Sequence, residues 1–258
     1  MQRELVRTLW SQVITFLVLT VVIVAGWWLV TETELVDTRI FPPLGEIIGA
    51  QTQLVDPAPA TFLDHLAITS ARVVASLVAG FLLGFGLGVL FWRVPVLGRA
   101  LEPYLLAFYA VPLVVFYPFL LVLLGINSWP IIAISTVMCC VPVALNTWIG
   151  FREQKEIHKM VGRALQLPTM LRFRRIELPA ALPEVFTGAR VGAVYSLVGT
   201  IGMEFMVSSE GLGYAVRYQY ETFNVPSMYL FLAATLALSF VVVTVLLAVS
   251  AVWLRHHE

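Results

Sequence analysis

Residues Leu66–Trp92 read LAITSARVVASLVAGFLLGFGLGVLFW, with Arg72 as the only charge. At 1.5 Å of rise per residue, a helix of this length crosses a hydrocarbon layer of about 30 Å. The run is continuous, whereas membrane β-strands read as short alternating segments. Gly80, Gly84 and Gly88 recur every fourth position and form one stripe, where another helix can approach closely. The stripe is a packing signal and carries no chemistry.

Five other runs have the same character: Val13–Val30, Pro103–Leu124, Pro130–Phe151, Gly188–Val207 and Tyr229–Leu254. Of the 258 residues, 59 % are hydrophobic and only 12 % charged, and mean hydropathy is +0.88. A soluble domain carries about a quarter charged residues. Too few charges remain here to cover a globular surface, so lipid must wet much of it. The pattern predicts an all-α membrane protein of about six transmembrane helices. Residues 1–258 form a single transmembrane domain with its core at 66–254. Zero net charge excludes any pull toward nucleic acid. Adjacent Cys139 and Cys140 point about 100° apart on a helix, so they read as buried apolar residues and not as a disulfide. Val13–Val30 follows Arg3 and Arg7 but precedes Thr31-Glu32-Thr33-Glu34 with no small-residue cleavage site, which reads as an uncleaved anchor.

Basic residues set the orientation. With the N-terminus inside, the inner segments hold Arg3, Arg7, Arg93, Arg99, Arg152, Lys155, Lys159, Arg163, Arg172, Arg174, Arg175 and Arg255, and the outer ones only Arg39 and Arg217. That bias predicts cytoplasmic N- and C-termini. The first outer loop, Thr31–Asp64, is broken by Pro42-Pro43, and Leu44–Val55 reads as a short helix on the membrane surface. The last outer loop, Ser208–Pro226, contains SSEGLGY, whose glycines favour a turn or re-entrant segment.

The inner segment 152–178 is richer than a connector needs. Arg152, Glu153, Lys155, Glu156, Lys159 and Arg163 are spaced for an amphipathic helix, with Met160, Val161, Ala164 and Leu165 on its apolar side. Gln166-Leu167-Pro168 interrupts, because proline disfavours helix in the residue before it and can start a new helix. A second short helix carries Arg172, Phe173, Arg174, Arg175 and Ile176, and Leu178–Pro183 then turns into the fifth span. Such a surface suits docking into a partner's groove or lying among lipid head groups.

From Arg172 the chain reads RFRRIELPAALP, and Thr187–Arg190 opens the fifth span with TGAR. With Phe41-Pro42-Pro43, Ser70-Ala71-Arg72-Val73, and Glu204 ahead of Ser208–Tyr214, this resembles the inner-membrane permease of binding-protein-dependent ABC importers. The likeness is greatest to the branch of nitrate, sulfonate, taurine and thiamine-precursor systems. The resemblance implies a type I ABC importer-like fold in the bacterial inner membrane. It implies a second permease subunit making a homodimer, two ATPase subunits that bind ATP and Mg, and an external substrate-binding protein; this chain itself binds no cofactor and no metal. It also implies that segment 152–178 is the coupling element, with Lys155, Lys159, Met160, Arg163, Gln166, Leu167, Pro168, Arg172, Arg174 and Arg175 facing the ATPase. The family's Glu-Ala-Ala positions fall on Met160-Val161-Gly162 and its turn glycine on Gln166. Gln166 lacks glycine's backbone freedom, which leaves Pro168 to set the bend.

Ionisable groups at membrane depth are functional candidates because burying them is costly. Arg72 and Arg190 either snorkel to an interface or reach inward. Glu204 either pairs with an arginine or caps the re-entrant loop, with a place at an outer gate. Prolines free backbone groups that must be satisfied within protein or by water, so Tyr109, Pro112, Phe116 and Tyr117 mark the third span as pathway. Tyr195 and Thr200 join them from the fifth, and the aromatic rings either stack on a flat ligand or pack the core. No phosphate-binding loop of the form GxxxxGK[ST] occurs. A membrane-embedded enzyme would need acids or histidines clustered at membrane depth. An ion-coupled secondary transporter would show internal repeats and more intramembrane acids. Neither pattern is present.

Overall fold

The computed structural model of the chain describes residues 18, 21–22, 24–33, 36–53, 61–154, 160 and 166–255. Helix α1 covers residues 24–32, and α2 is Leu44–Gln53, the predicted surface helix. Then come α3 (Phe62–Arg93), α4 (Pro95–Ala110), a 3₁₀ turn at Leu113–Phe116, α5 (Tyr117–Leu124) and α6 (Trp129–Arg152). Further along the chain come α7 (Thr169–Arg172), a π-helical turn at Phe173–Glu177, α8 (Leu178–Val207), α9 (Leu212–Glu221) and α10 (Val225–Arg255). No strand occurs among the described residues.

Helix α6 lies at the centre, packed along its length between α3 and α8. The glycine stripe of α3 makes this possible. A Cβ added at Gly80, Gly84 or Gly88 would run into Cys139, the Cys140 carbonyl with Val143, or Thr147 of α6. A second stripe on α8 does the same from the other side. Gly188 lies against Asn146, Gly192 against Cys139 and Val143, and Gly199 against Met138 and Ser135. Backbones this close gain dispersion contacts that lipid tails do not supply. Hydroxyls fill the remaining polar needs. Ser76 and Ser196 share a 2.7 Å hydrogen bond between α3 and α8, and Thr200 donates to Ser135 of α6 at 3.0 Å.

The periphery is looser. The most apolar stretch of α10 is only 6 % buried, against 61 % for α6, so α10 lies at the edge of the helix packing. The Phe41-Pro42-Pro43 motif is pinned to this outer layer. Trp27 of α1 stacks on Phe41 at 3.9 Å and donates its indole N–H to the Pro42 carbonyl at 3.1 Å, while Tyr229 of α10 meets the Trp27 ring edge-on at 5.0 Å.

Among the described residues, α3, α6, α10 and the helical stretch containing α8 are each long and apolar enough to cross a membrane, and the α4–α5 pair makes a fifth span if counted as one. Most of the first predicted run, Val13–Val30, lies outside the described residues. Two sequence expectations need correction. The run Pro103–Leu124 is not one straight helix: its two halves meet at 88°. Pro112 offers no N–H and holds Val111 extended at φ −82°, ψ 125°, which ends α4. Nor does Leu178–Pro183 turn the chain, since α8 already begins at Leu178. Pro179 has no N–H for the Arg175 carbonyl. The helix widens just before it, and Leu178 N–H bonds Phe173 O one residue further back than an α-helix would.

Replacing Gly84 with Leu should separate α3 from α6 and destabilise the protein by about 1–3 kcal/mol. Leu at Gly86, where a Cβ meets open space, should leave stability unchanged. Thermal unfolding of the two detergent-purified variants checks the contrast.

Candidate functional site

The ends of α3, α6 and α8 each build a distinct constellation. At one end Arg72 and Glu204 are buried, 3 % and 0 % exposed, so Arg72 reaches inward and does not snorkel. Its Nη1 donates to Glu204 Oε1 at 2.9 Å, and its Nη2 lies 3.0 Å from Glu210 Oε1. Nε and Nη2 also donate to Ser128 Oγ, at 3.0 and 2.9 Å, and Ser128 stands at the N-terminus of α6. One guanidinium thus joins three elements and spends its donors on fixed acceptors.

Glu204 does both things expected of it. Besides pairing with Arg72, its Oε2 accepts from Thr69 Oγ1 at 2.7 Å and from Gly213 N–H at 3.1 Å. Thr69 in turn accepts from Leu212 N–H at 2.7 Å, and His65 Nδ1 accepts from Gly211 N–H at 3.0 Å. The N–H groups that open α9 are therefore satisfied by side chains of α3 and α8. Gly211 makes the approach possible: at φ 101° it lies in the left-handed region, and a Cβ there would overlap the Glu204 carboxylate. Arg217 closes the turn by donating to the Met206 and Ser208 carbonyls, both at 2.8 Å.

At the opposite end three rings stack. Trp92 ends α3, Phe151 ends α6, and Phe173 belongs to the π turn. Their centroids lie 4.8 Å apart for Trp92–Phe151, 5.7 Å for Phe151–Phe173 and 6.0 Å for Trp92–Phe173. Arg93 lies over Trp92 at 4.8 Å. Arg172 bonds Glu177 at 2.9 Å, and Gln154 donates to the Glu177 carbonyl at 2.6 Å, which ties the segment back to the end of α6. Arg174 and Arg175 are exposed, as are Met160, Gln166 and Pro168, while Leu167 is half-buried. Lys155, Lys159 and Arg163, and with them the amphipathic helix expected there, lie outside the described residues.

Gln166 has φ 47°. The turn assigned to Pro168 is therefore made by Gln166 itself, in the conformation glycine adopts most readily. A side chain in that region costs about 1–2 kcal/mol.

The pathway candidates divide. Pro112 and Tyr195 line one cavity of about 220 Å³ at the bend, together with Phe108, Val111, Leu113, Val114, Met138, Val141 and Pro142. Phe116 is exposed, and Tyr117 packs on Ile131, Ile134 and Met203. Thr200 is fully buried in the α6–α8 contact. Arg190 is half-buried and bonds within its own helix, to Phe186 O and Thr187 Oγ1. The Tyr109 side chain lies outside the described residues. Sequence reasoning missed Thr69, His65, Trp92, Phe151 and Phe173; the aromatic residues closing three helical runs on one side were the available signal.

The family of binding-protein-dependent transport system inner membrane components matches residues 76–257. The chain belongs to that family. It is similar to the taurine transport system permease protein TauC of Escherichia coli (strain K12), 24 % identical over 76 % of this chain and 72 % of that one. The putative aliphatic sulfonates transport permease protein SsuC of Bacillus subtilis (strain 168) is 27 % identical over 78 % and 72 % of the two chains. The formylaminopyrimidine transport permease protein ThiX of Halalkalibacterium halodurans is 26 % identical over 68 % and 70 %. The fold matches a chain of the inward-facing MetNI methionine ABC transporter, with a TM-score of 0.62 over 76 % of this chain and 95 % of that one at 23 % identity. This permease is thus a multi-pass inner-membrane transport component and not an enzyme; ATP hydrolysis belongs to a partner subunit. The family also implies a substrate-binding protein as a partner.

Removing Glu204 leaves the Arg72 guanidinium short of a buried partner, and such losses cost about 3–5 kcal/mol. Glu204→Ala should lower the unfolding temperature and expose the 208–213 turn to proteolysis; an unchanged melting curve would count against the buried pair. Gln166→Gly should relieve about 1 kcal/mol of backbone strain, seen as slower amide exchange across residues 166–178.

Proposed function

We propose that two copies of this permease enclose a solute pathway, each docked through segment 152–178 on its own ATPase subunit. An external binding protein delivers the solute, the termini face the cytoplasm, and ATP with Mg is held by the ATPase pair. Closure of that pair pushes the coupling segments, and the helices rock between outward and inward openings.

The observation that carries this reading is the ring stack. Phe173 belongs to the coupling segment and rests on Trp92 and Phe151, the last turns of α3 and α6. A displacement of the segment is therefore delivered to both helices of the close-packed core through aromatic contacts that resist compression. The outward side of the same segment presents Arg174, Arg175 and Met170 to a partner. An arginine pair beside an exposed methionine suits a groove with acidic edges and an apolar floor. The knot of Arg72, Glu204 and Glu210 gives the other end a fixed point about which α3 and α8 pivot together.

Two variants separate docking from transmission. Arg174→Glu with Arg175→Glu should abolish uptake and lose the ATPase during co-purification. Phe173→Ala should keep the ATPase bound yet cut uptake at least tenfold. A double arginine variant that transports normally in a stable complex would refute the docking role.

A further inference from the structure

Glu177 is a buried carboxylate at the end of the π turn, only 8 % exposed. It stands five positions after Arg172, whose Nε donates to Glu177 Oε1 at 2.9 Å. Glu177 Oε2 has no hydrogen-bond partner among the described residues, so this one contact pins the carboxylate. The spacing decides what the pair can do. At about 100° per residue, positions five apart on an α-helix point about 140° away from each other, and such side chains do not meet. A π turn bonds residue i to i+5, as Leu178 N–H does to Phe173 O, and this brings the two side chains within reach. The pair therefore forms in the widened register and breaks in the ordinary one.

Pro179 permits a wide turn by removing one donor, but a missing N–H does not hold the turn open. Glu177 does so through two contacts. The Arg172 pair fixes the spacing across the turn, and Gln154 Nε2 donates to the Glu177 carbonyl at 2.6 Å, which fastens the turn to the chain leaving α6. Gly150 lets the start of α8 lie against the end of α6, since a Cβ there would meet the Glu184 side chain and the Ala181 carbonyl. With α8 held in this way, closing the turn into the α register would rotate residues 169–173 by about 100° relative to it. Phe173 would then leave Phe151 and Trp92, whose rings lie 5.7 and 6.0 Å from its own. We infer that Glu177, through its pair with Arg172, is a positioning residue that locks the π register of the coupling segment and so keeps Phe173 seated on the ends of α3 and α6. The inference rests on reading segment 152–178 as the element that the ATPase moves.

The test measures amide hydrogen exchange in the complex of this chain with its ATPase, held in lipid nanodiscs, with and without ATP and Mg. In the wild type, ATP should change exchange across residues 166–178 and also at the ends of α3 and α6, residues 88–93 and 148–154. Glu177→Met keeps the bulk and removes the acceptor. It should retain the ATPase and the response of residues 166–172, yet cut the response at the two helix ends at least fivefold. Glu177→Asp keeps a charge within reach of the long Arg172 side chain and should preserve at least half of that response. A Glu177→Met complex whose helix ends respond as in the wild type overturns the lock. So does one that loses the ATPase, which would make Glu177 part of the docking surface. A Glu177→Asp complex as uncoupled as Glu177→Met overturns the role of the charge pair. A wild-type complex whose helix ends ignore ATP would instead sink the reading of the segment on which the lock depends.

Discussion

Close approach of three helices is the constraint from which the rest of this permease follows. In hydrocarbon there is no hydrophobic drive to bring helices together, so association depends on dispersion and on hydrogen bonds between them. Helix α6 obtains both because α3 and α8 each present glycines to it, on opposite sides. The serine and threonine bonds between these helices need the same short separation. Once the three are locked, their ends have no freedom to wander, and whatever stands on those ends is brought into register.

Each end exploits this differently. At one, a guanidinium and a carboxylate that would be prohibitive in lipid become affordable together, because every donor and acceptor has a partner. Their pairing also orders the 208–211 turn and the start of α9, so electrostatics and chain reversal are solved by one set of atoms. At the other end three aromatic rings pack the ends of α3 and α6 against the π turn, and the buried Glu177 pairs with Arg172. A polar knot resists separation, and a ring stack resists compression. In the proposed mechanism, that division suits a lever that is pushed from one side and anchored at the other.

Prolines supply the compliance such a device needs. Pro112 breaks the α4–α5 pair at a right angle, Pro142 removes one backbone donor within the continuous α6, and Pro179 widens the helix into a π turn beneath the ring stack. In each case the cause is one missing N–H, and the consequence is a place where backbone geometry can change at low cost. Gln166 is the opposite case, a residue held at φ 47° although its side chain disfavours it.

Hydropathy and local stereochemistry were enough, in the sequence alone, to indicate most of the apolar runs, a short helix within Leu44–Val55, the α3 glycine stripe, a turn in the glycine-bearing loop Ser208–Pro226 and the family motif from Arg172 onward. These features depend on residues a few positions apart, which is the range over which period and propensity act. The partnership of Arg72 with Glu204 spans 132 positions, and the stack of Trp92, Phe151 and Phe173 joins three separate helical runs. Their composition was visible, but their meeting was not. Whether Arg72 snorkelled or reached inward, and whether the proline run crossed straight or bent, depended on how closely neighbouring helices could approach. Only the tertiary structure decided that, because the energy of a buried charge or a broken helix is set by what surrounds it.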